Sequence, residues 1–470
     1  MGALGWLLFR AHPPTCTNNA RIYGYERCAA LRNELLTRAM KGCGYEMPPK
    51  PRTWWEVKAP SEEFAIRLAV PLVEFLKRAY DNEALPKTGR PGLFYFLGGL
   101  VWPDDMMLYQ NEFYDDWDDR FLELYGSSCF LLSDDEGLLF DQETLKAAFV
   151  ADNNDTTGVC FHEWTWIPLE DILGAYLQMI DEGKVEAVPS CRWENWENQP
   201  NQLPLIDPWS IHAYTATDMK KTLFAFKRLV EAIDSRIPGK DESTYTHLPW
   251  HDPVTLAQDF IPLSSFAHEF LSAVSHFKVR FRYIAPGILF PKVPEFLDQV
   301  MTDFTDSTYT YMGEFPGDCP LRIFITDAEE LVHNENYPSH PMPAGLYIDR
   351  VVVRHPQFWS NGCELLLPFG IGANGWVRQS NGQPFGVFIN NQDLNQKPGN
   401  SNTLLYQSGC PDGFTFRYHV QIHKVLENWA ERVEREEWEV NGDGVVGGVE
   451  KFREADTEEH WGKYWIPRSW

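Results

Sequence analysis

A mixed α+β protein is predicted by this sequence, helix-rich in its N-terminal half, β-rich from about 320 to 420, and ending in a C-terminal helix-loop-helix. Two patterns predict it. Through much of the first 240 residues apolar side chains recur at three and four, the period of an amphipathic helix. Between about 320 and 420 they fall instead into short β-type runs separated by Gly, Asn and Pro clusters. With 470 residues the chain exceeds what one hydrophobic core usually serves. Three units are therefore expected, at 1–240, 250–423 and 424–470.

Taken in order, residues 24–41 and 61–81 carry the helical period. Leu93 to Leu97, closed by Gly98 and Gly99, is an apolar run of strand type. Helices are expected at 168–182, entered at Pro168, and at 218–236, entered at Asp218 and stopped by Ile237-Pro238-Gly239. The polar, Pro-rich stretch 238–256 predicts a linker, followed by a helix near 255–276 and an alternating segment at 277–284. The β-type runs are 321–326, 346–354, 364–369, 385–389 and 414–420, and helix returns at 422–438 and 449–461.

Composition excludes several classes of function. Apolar residues at 44%, charged residues at 23% and 18 Trp argue for a packed chain rather than a disordered one. A net charge of −26 repels phosphate backbones, so bulk nucleic-acid binding is excluded and any such contact needs a local basic patch. No run reaches the ~18 apolar residues of a membrane span, so no membrane partner is expected. Nine scattered cysteines without a C-x-x-C pair predict reduced thiols. The apolar opening, Met1 to Phe9, lacks the basic region of a secretory signal, and a cytoplasmic location is expected.

The densest acidic cluster runs Asn111-Glu112-Phe113-Tyr114-Asp115-Asp116-Trp117-Asp118-Asp119, followed by Glu123. On a helix over 111–124, Asp115, Asp119 and Glu123 stack at i, i+4 and i+8 with Asp116 beside them. Like charges at that spacing repel unless a divalent cation or a guanidinium lies between them, and carboxylates match the planar fork of arginine. A solvated acidic face is the competing reading. Phe113, Tyr114, Trp117 and Phe121 argue instead that one side is packed. Residues 115–119 also fit D-D-x-x-D, the diphosphate motif of class I terpene synthases, but the partner motif at Asn154 to Glu163 is out of step and the β-rich second half contradicts that all-helical fold.

Two further constellations stand out. Glu439, Asn441, Asp443, Val445 and Glu450 have the twelve-residue spacing of an EF-hand loop, with Gly444 at the turn position and helical flanks, so a Ca²⁺ site is expected there. Against it, position 1 is Glu rather than Asp, and no second hand is present. Lys278, Arg280 and Arg282 alternate with apolar residues, so a strand puts all three on one face, the best local stripe for contact with an RNA backbone. Gly370-Ile371-Gly372-Ala373-Asn374-Gly375 matches a dinucleotide fingerprint, yet β-type sequence follows where a helix is needed, so it reads as a glycine turn.

With Asp115, Asp116 and Asp119 on a D-D-x-x-E-like motif, the chain resembles fungal proteins of the arginine-containing cyclodipeptide synthase family, with Asp at the last position where that family has Glu. The resemblance implies a tRNA-dependent aminoacyltransferase of specialised metabolism that takes arginine from arginyl-tRNA and a second amino acid from another aminoacyl-tRNA. It implies Asp115, Asp116 and Asp119 as catalytic residues; Glu123 from the acidic cluster and Lys278, Arg280 and Arg282 from the basic stripe are then the residues expected to bind substrate. Aminoacyl esters are already activated, so no cofactor is required for the transfer. The competing reading is a non-catalytic or regulatory binding protein whose feature is the calcium-type loop.

Overall fold

The computed structural model describes residues 24–81, 92–94, 97–107, 119–127, 137–150, 166–188, 202–204, 208–239, 242–258, 260–299, 303–304, 317–318, 320–327, 331–334, 337–350, 360–380, 382–385, 401–407 and 420–467. It is a mixed α+β fold with two principal buried cores.

The first core begins with the helix Tyr25–Gly42, which forms because Cys28, Ala29, Leu35, Leu36, Ala39 and Met40 bury one face at helical spacing. The expected helix at 61–81 is two. Ser61 caps Glu62–Ile66 by accepting the Phe64 N–H at 3.1 Å, and Pro71 in the first turn of Val70–Leu76 starts the second. The helix expected at 168–182 spans Leu169–Asp181 and packs beside Tyr25–Gly42.

The N-terminal half also holds more sheet than its helical periodicity predicts. Leu97–Leu100, Phe121–Ser127, Gly137–Asp141, Lys146–Val150 and Ile167–Pro168 form an antiparallel meander in sequence order. A three-stranded sheet puts Trp209–His212 between Val185–Ala187 and Gln202–Pro204. Between these elements Trp54, Phe75, Phe94, Tyr176 and Trp209 are buried. Phe94 stacks on Tyr176 with ring centroids 4.1 Å apart, and the Trp209 indole N–H donates to the Gly92 carbonyl at 3.0 Å.

The second core draws on residues from Met219 to Ile466. Its eight-stranded sheet runs, in spatial order, Asn402–Leu404, Cys363–Ile371, Gly345–Ile348, Leu321–Thr326, Ile288–Leu289, Tyr283–Ala285, Gly444–Val445 and Val440–Asn441. Every pairing is antiparallel except that of Tyr283 with Gly444. Helices Ala216–Arg236 and Ile422–Glu434 pack together, joined by Arg228 Nε and Nη2 donating to the two Glu434 carboxylate oxygens at 2.8 and 2.5 Å.

Several expectations change here. Thr215, not Asp218, caps the helix Ala216–Arg236; Asp218 is the reciprocal partner in a capping box. That helix belongs to the second core, so the change of core comes between Ile211 and Met219, ahead of the expected boundary. The supposed linker 238–256 buries Trp250 edge-on to Phe290 and Phe296. The helix expected at 255–276 is confined to Phe266–Val274, capped by Ser265. The C-terminal tail is not a separate unit, because Trp429, Phe452 and Tyr464 interlock within the second core. Most of the β-type runs at 385–389 and 414–420 lies outside the described residues.

Among the described residues, no helix is long and apolar enough to cross a membrane.

Candidate functional site

The acidic cluster does not continue as a helix. Asp119 and Arg120 form a turn, and Phe121–Ser127 is a strand paired to Gly137–Asp141, so the expected stacking of Asp115, Asp119 and Glu123 at helical spacing is corrected. The period-two pattern Phe121-Leu122-Glu123-Leu124, with Leu122 and Leu124 buried in the first core, overrides the four-residue spacing of the carboxylates. Asp115 and Asp116 lie outside the described residues.

Three polar locks hold the start of this strand. Arg67 donates from Nε and Nη2 to Asp119 Oδ1 at 2.9 and 2.6 Å, so the guanidinium that relieves Asp119 belongs to the chain itself. The Gln142 amide donates to the Asp119 carbonyl and, at 3.1 Å, to that of Arg67. Arg120 clamps Asp141 through two bonds of 2.9 Å.

Glu123 differs from these paired groups. It is half-buried, and among the described residues no cation reaches its carboxyl. Burial first, and then the negative charge of Asp105 in the short helix Pro103–Met106, push its pKa up to about 8. The strand register shifts between Glu123 and Tyr125, so regular pairing to Gly137–Asp141 is interrupted just after this side chain. A Cβ added at Gly126 would lie 3.3 Å from Glu123 Oε1; the glycine leaves the carboxyl its room. Chemically, a carboxyl that titrates near 8 can both give and take a proton near neutral pH.

The basic stripe is broken by its middle member. Lys278 and Arg282 are exposed, as alternation requires, but the Arg280 side chain is only 5% exposed. Its Nε donates to Asp234 Oδ1 at 2.7 Å, and Nη2 donates to the carbonyls of Asp234 and Ile237 at 2.9 and 3.1 Å. Arg280 thus closes the C-terminal end of the helix Ala216–Arg236, where a cation is favoured by the helix dipole. That role replaces the expected one in substrate binding.

The expected calcium loop is a β-hairpin. Val440–Asn441 pairs with Gly444–Val445, and Asn441 Oδ1 accepts the Asp443 N–H at 2.8 Å across the turn. Glu450 pairs with Arg453. Among the described residues no group of three or more Asp, Glu, His or Cys side chains is gathered in a way that could hold a metal ion. The hairpin joins the large sheet at Gly444, which at φ 111° lies so close to Tyr283 that a Cβ would come within 2.3 Å of the Tyr283 carbonyl oxygen.

Sequence reasoning missed a buried polar cluster where the two cores meet. Lys184, from the turn after Leu169–Asp181, donates to Asp218 Oδ2 at 2.8 Å and to Asn361 Oδ1 at 3.4 Å. Thr215 donates to the same Asp218 oxygen through its backbone N–H at 2.8 Å and its hydroxyl at 3.0 Å. Burial acts to raise the Asp218 pKa, but the charge and hydrogen bond of Lys184 prevail and hold it below the usual carboxylate range. Close by in charge, buried His423 is held neutral, its pKa lowered to about 3 by burial and by Lys424 and Lys221. The T-x-x-D pattern of 215–218 was a legible signal; the burial of Lys184 was not.

The chain matches no protein-family model, no curated protein and no solved structure.

Proposed function

We propose that this chain is an aminoacyl-transfer enzyme that joins arginine to a second amino acid as a cyclic dipeptide, taking both from aminoacyl-tRNAs. The observation that carries the reading is Glu123, a half-buried carboxyl at the end of the acidic segment with a pKa near 8 and no cation against it among the described residues. In the transfer, the α-amine of one aminoacyl ester attacks the carbonyl carbon of the other. The new C–N bond forms, the C–O bond to the ribose breaks, and the departing oxygen needs a proton while the amine sheds one; the free α-amine of the resulting dipeptidyl ester then attacks its own ester carbonyl in the same way, closing the ring and releasing the second tRNA. Glu123 in its neutral form supplies the proton to the oxygen and, as carboxylate, recovers the one from the amine. No net proton is consumed and no oxidant or nucleotide is needed.

In this reading Asp115 and Asp116 hold the arginine guanidinium. Asp119, occupied by Arg67, orients the turn rather than the substrate. Of the basic stripe, exposed Lys278 and Arg282 remain to meet tRNA phosphates on a chain of net charge −26.

Metabolite analysis of a host expressing the chain tests the proposal. Wild type is expected to yield a new arginine-containing cyclic dipeptide, and Glu123→Gln, with an unchanged melting temperature, to yield at most about a hundredth as much. Absence of that product from the wild type, or equal yields from both proteins, would refute it.

A further inference from the structure

We propose that the exposed pair His247 and His251, stacked beside Lys278, is an RNA contact that tightens as pH falls; the inference rests on the tRNA reading above. The two rings lie face to face, with centroids 3.7 Å apart and planes 12° apart. Local structure fixes that arrangement. His247, on the strand Thr246–His247, is opposite Lys278 of Lys278–Val279, and directly opposed residues of an antiparallel pair put their side chains on one face with Cβ atoms about 4.5–5.5 Å apart. The chain then turns at Leu248, and a single 3-10 turn, Pro249–His251, brings the second imidazole against the first. Buried Leu248 and Trp250 anchor this turn, and the His251 N–H closes it on the Leu248 carbonyl at 3.0 Å. His247, His251 and Lys278 all stay exposed.

A parallel stack suits imidazoles of which at least one is neutral, because two unit charges that close repel. It does not suit a chelated metal, since the in-plane lone pairs of parallel rings do not converge. Partial loss of solvent, then His251 and Lys278, hold the His247 pKa below its ordinary 6.5. Asp252, next to His251, is engaged through Oδ1 with the Val254 N–H at 3.1 Å. Lys292 and Glu295, beside and on the helix Val293–Leu297 that packs on the turn, pair with each other at 3.5 Å. The helix Phe266–Val274, which also packs there, carries His268 and Glu269. The charges that act on His247 are those of His251 and Lys278.

A phosphodiester laid against the pair supplies the missing counter-charge, so both rings can hold a proton and donate to it. The same rings offer flat faces on which an unpaired base stacks. An acidic peptide would use the charge alone, so RNA fits the pair better. On a chain of net charge −26 the attraction has to be local, and this face supplies most of it when the imidazoles are charged.

Binding of unacylated bulk tRNA to the full chain, at pH 7.5 and pH 5.5 and one ionic strength, tests the contact. Wild type is expected to bind at least about tenfold more tightly at pH 5.5. His247→Gln with His251→Gln, both at exposed positions and expected to keep the wild-type melting temperature, should change by about twofold at most between the same pH values. Poly-glutamate, which offers charge without bases, is expected to bind at least about tenfold more weakly than tRNA. An equal pH response in wild type and double variant, poly-glutamate bound as tightly as tRNA, or no binding of tRNA by wild type would overturn the contact. Cyclic dipeptide formation is followed separately. Product from the wild type, with an unchanged pH response in the variant, defeats the contact and leaves the enzyme reading standing; a pH response lost in the variant, with no product from the wild type, does the reverse.

Discussion

Asp456 holds the loop that begins at Gly372: its Oδ2 accepts the Gly372 backbone N–H at 2.9 Å across 84 residues of sequence. The same oxygen takes the Asn374 N–H at 2.9 Å, and Oδ1 takes those of Trp376 and Val377 at 2.9 and 3.3 Å. A glycine loop that resembles a pyrophosphate cradle in sequence is therefore an anion nest filled by the chain's own carboxylate. Asp456→Ala leaves these donors without their acceptor. It is expected to cost about 3–5 kcal/mol in urea unfolding, with Asp456→Asn between it and wild type. A loss below about 1 kcal/mol would mean the loop is held by other interactions.

The Lys184–Asp218 pair is buried on both sides, with side chains 2% and 5% exposed. Removing one partner strands a charge, so Lys184→Met alone is expected to cost about 3–5 kcal/mol, whereas Lys184→Met with Asp218→Leu recovers much of it. A double variant no more stable than the single one would show that packing, not charge, dominates there.

His423 makes stability depend on pH. Its folded pKa, about 3, lies below the ordinary value of 6.5, so the unfolded chain takes up a proton first as pH falls. Its contribution is complete above pH 6.5 and is lost progressively down to about pH 3. Between pH 7 and pH 4, wild type is expected to lose on the order of 3 kcal/mol more than His423→Gln. Parallel stability curves for the two proteins would remove His423 as the cause.

Arg280 and its neighbours separate folding from RNA binding. Arg280→Gln is expected to lower stability by about 1–3 kcal/mol, through the lost helix closure, at any salt concentration. Lys278→Glu with Arg282→Glu should leave the melting temperature nearly unchanged, weaken tRNA binding and flatten its salt dependence by roughly 0.7–0.9 for each phosphate no longer neutralised. Equal tRNA affinity in that double variant and wild type would exclude this face as the tRNA-binding surface.

Much of the fold was legible where one physical signal acts alone. The helices at 25–42, 169–181, 216–236 and 422–434 follow from apolar spacing and caps, and Leu321–Thr326 and Cys363–Ile371 from β-type runs between turn residues. The signal failed where two periods compete. Asp115, Asp119 and Glu123 fit a helical stripe, but Leu122 and Leu124 fit a strand, and burial of the leucines decided. At 439–450 the ligand spacing of a calcium loop coincides with a short hairpin, whose pairing to the distant Tyr283 no local pattern announces. Arg280 reads as a surface cation because its acceptor, Asp234, is 46 residues away, and Lys184 gives no local signal at all because its acceptor, Asp218, is 34 residues away. For Glu123, the residue was legible as a site candidate, but its altered acidity was not, since that depends on burial and on Asp105.

Proton movement by Glu123 in aminoacyl transfer is tested most directly with the purified protein, arginyl-tRNA and a mixed aminoacyl-tRNA pool across pH 6 to 9. An arginine-containing cyclic dipeptide is expected, with a rate of formation that changes with an apparent pKa near 8. Glu123→Gln is expected to bind the tRNAs equally well and to form at least a hundredfold less product at every pH. Wild-type protein that binds the tRNAs and forms no cyclic dipeptide, or a pH profile shared by wild type and variant, would contradict that role.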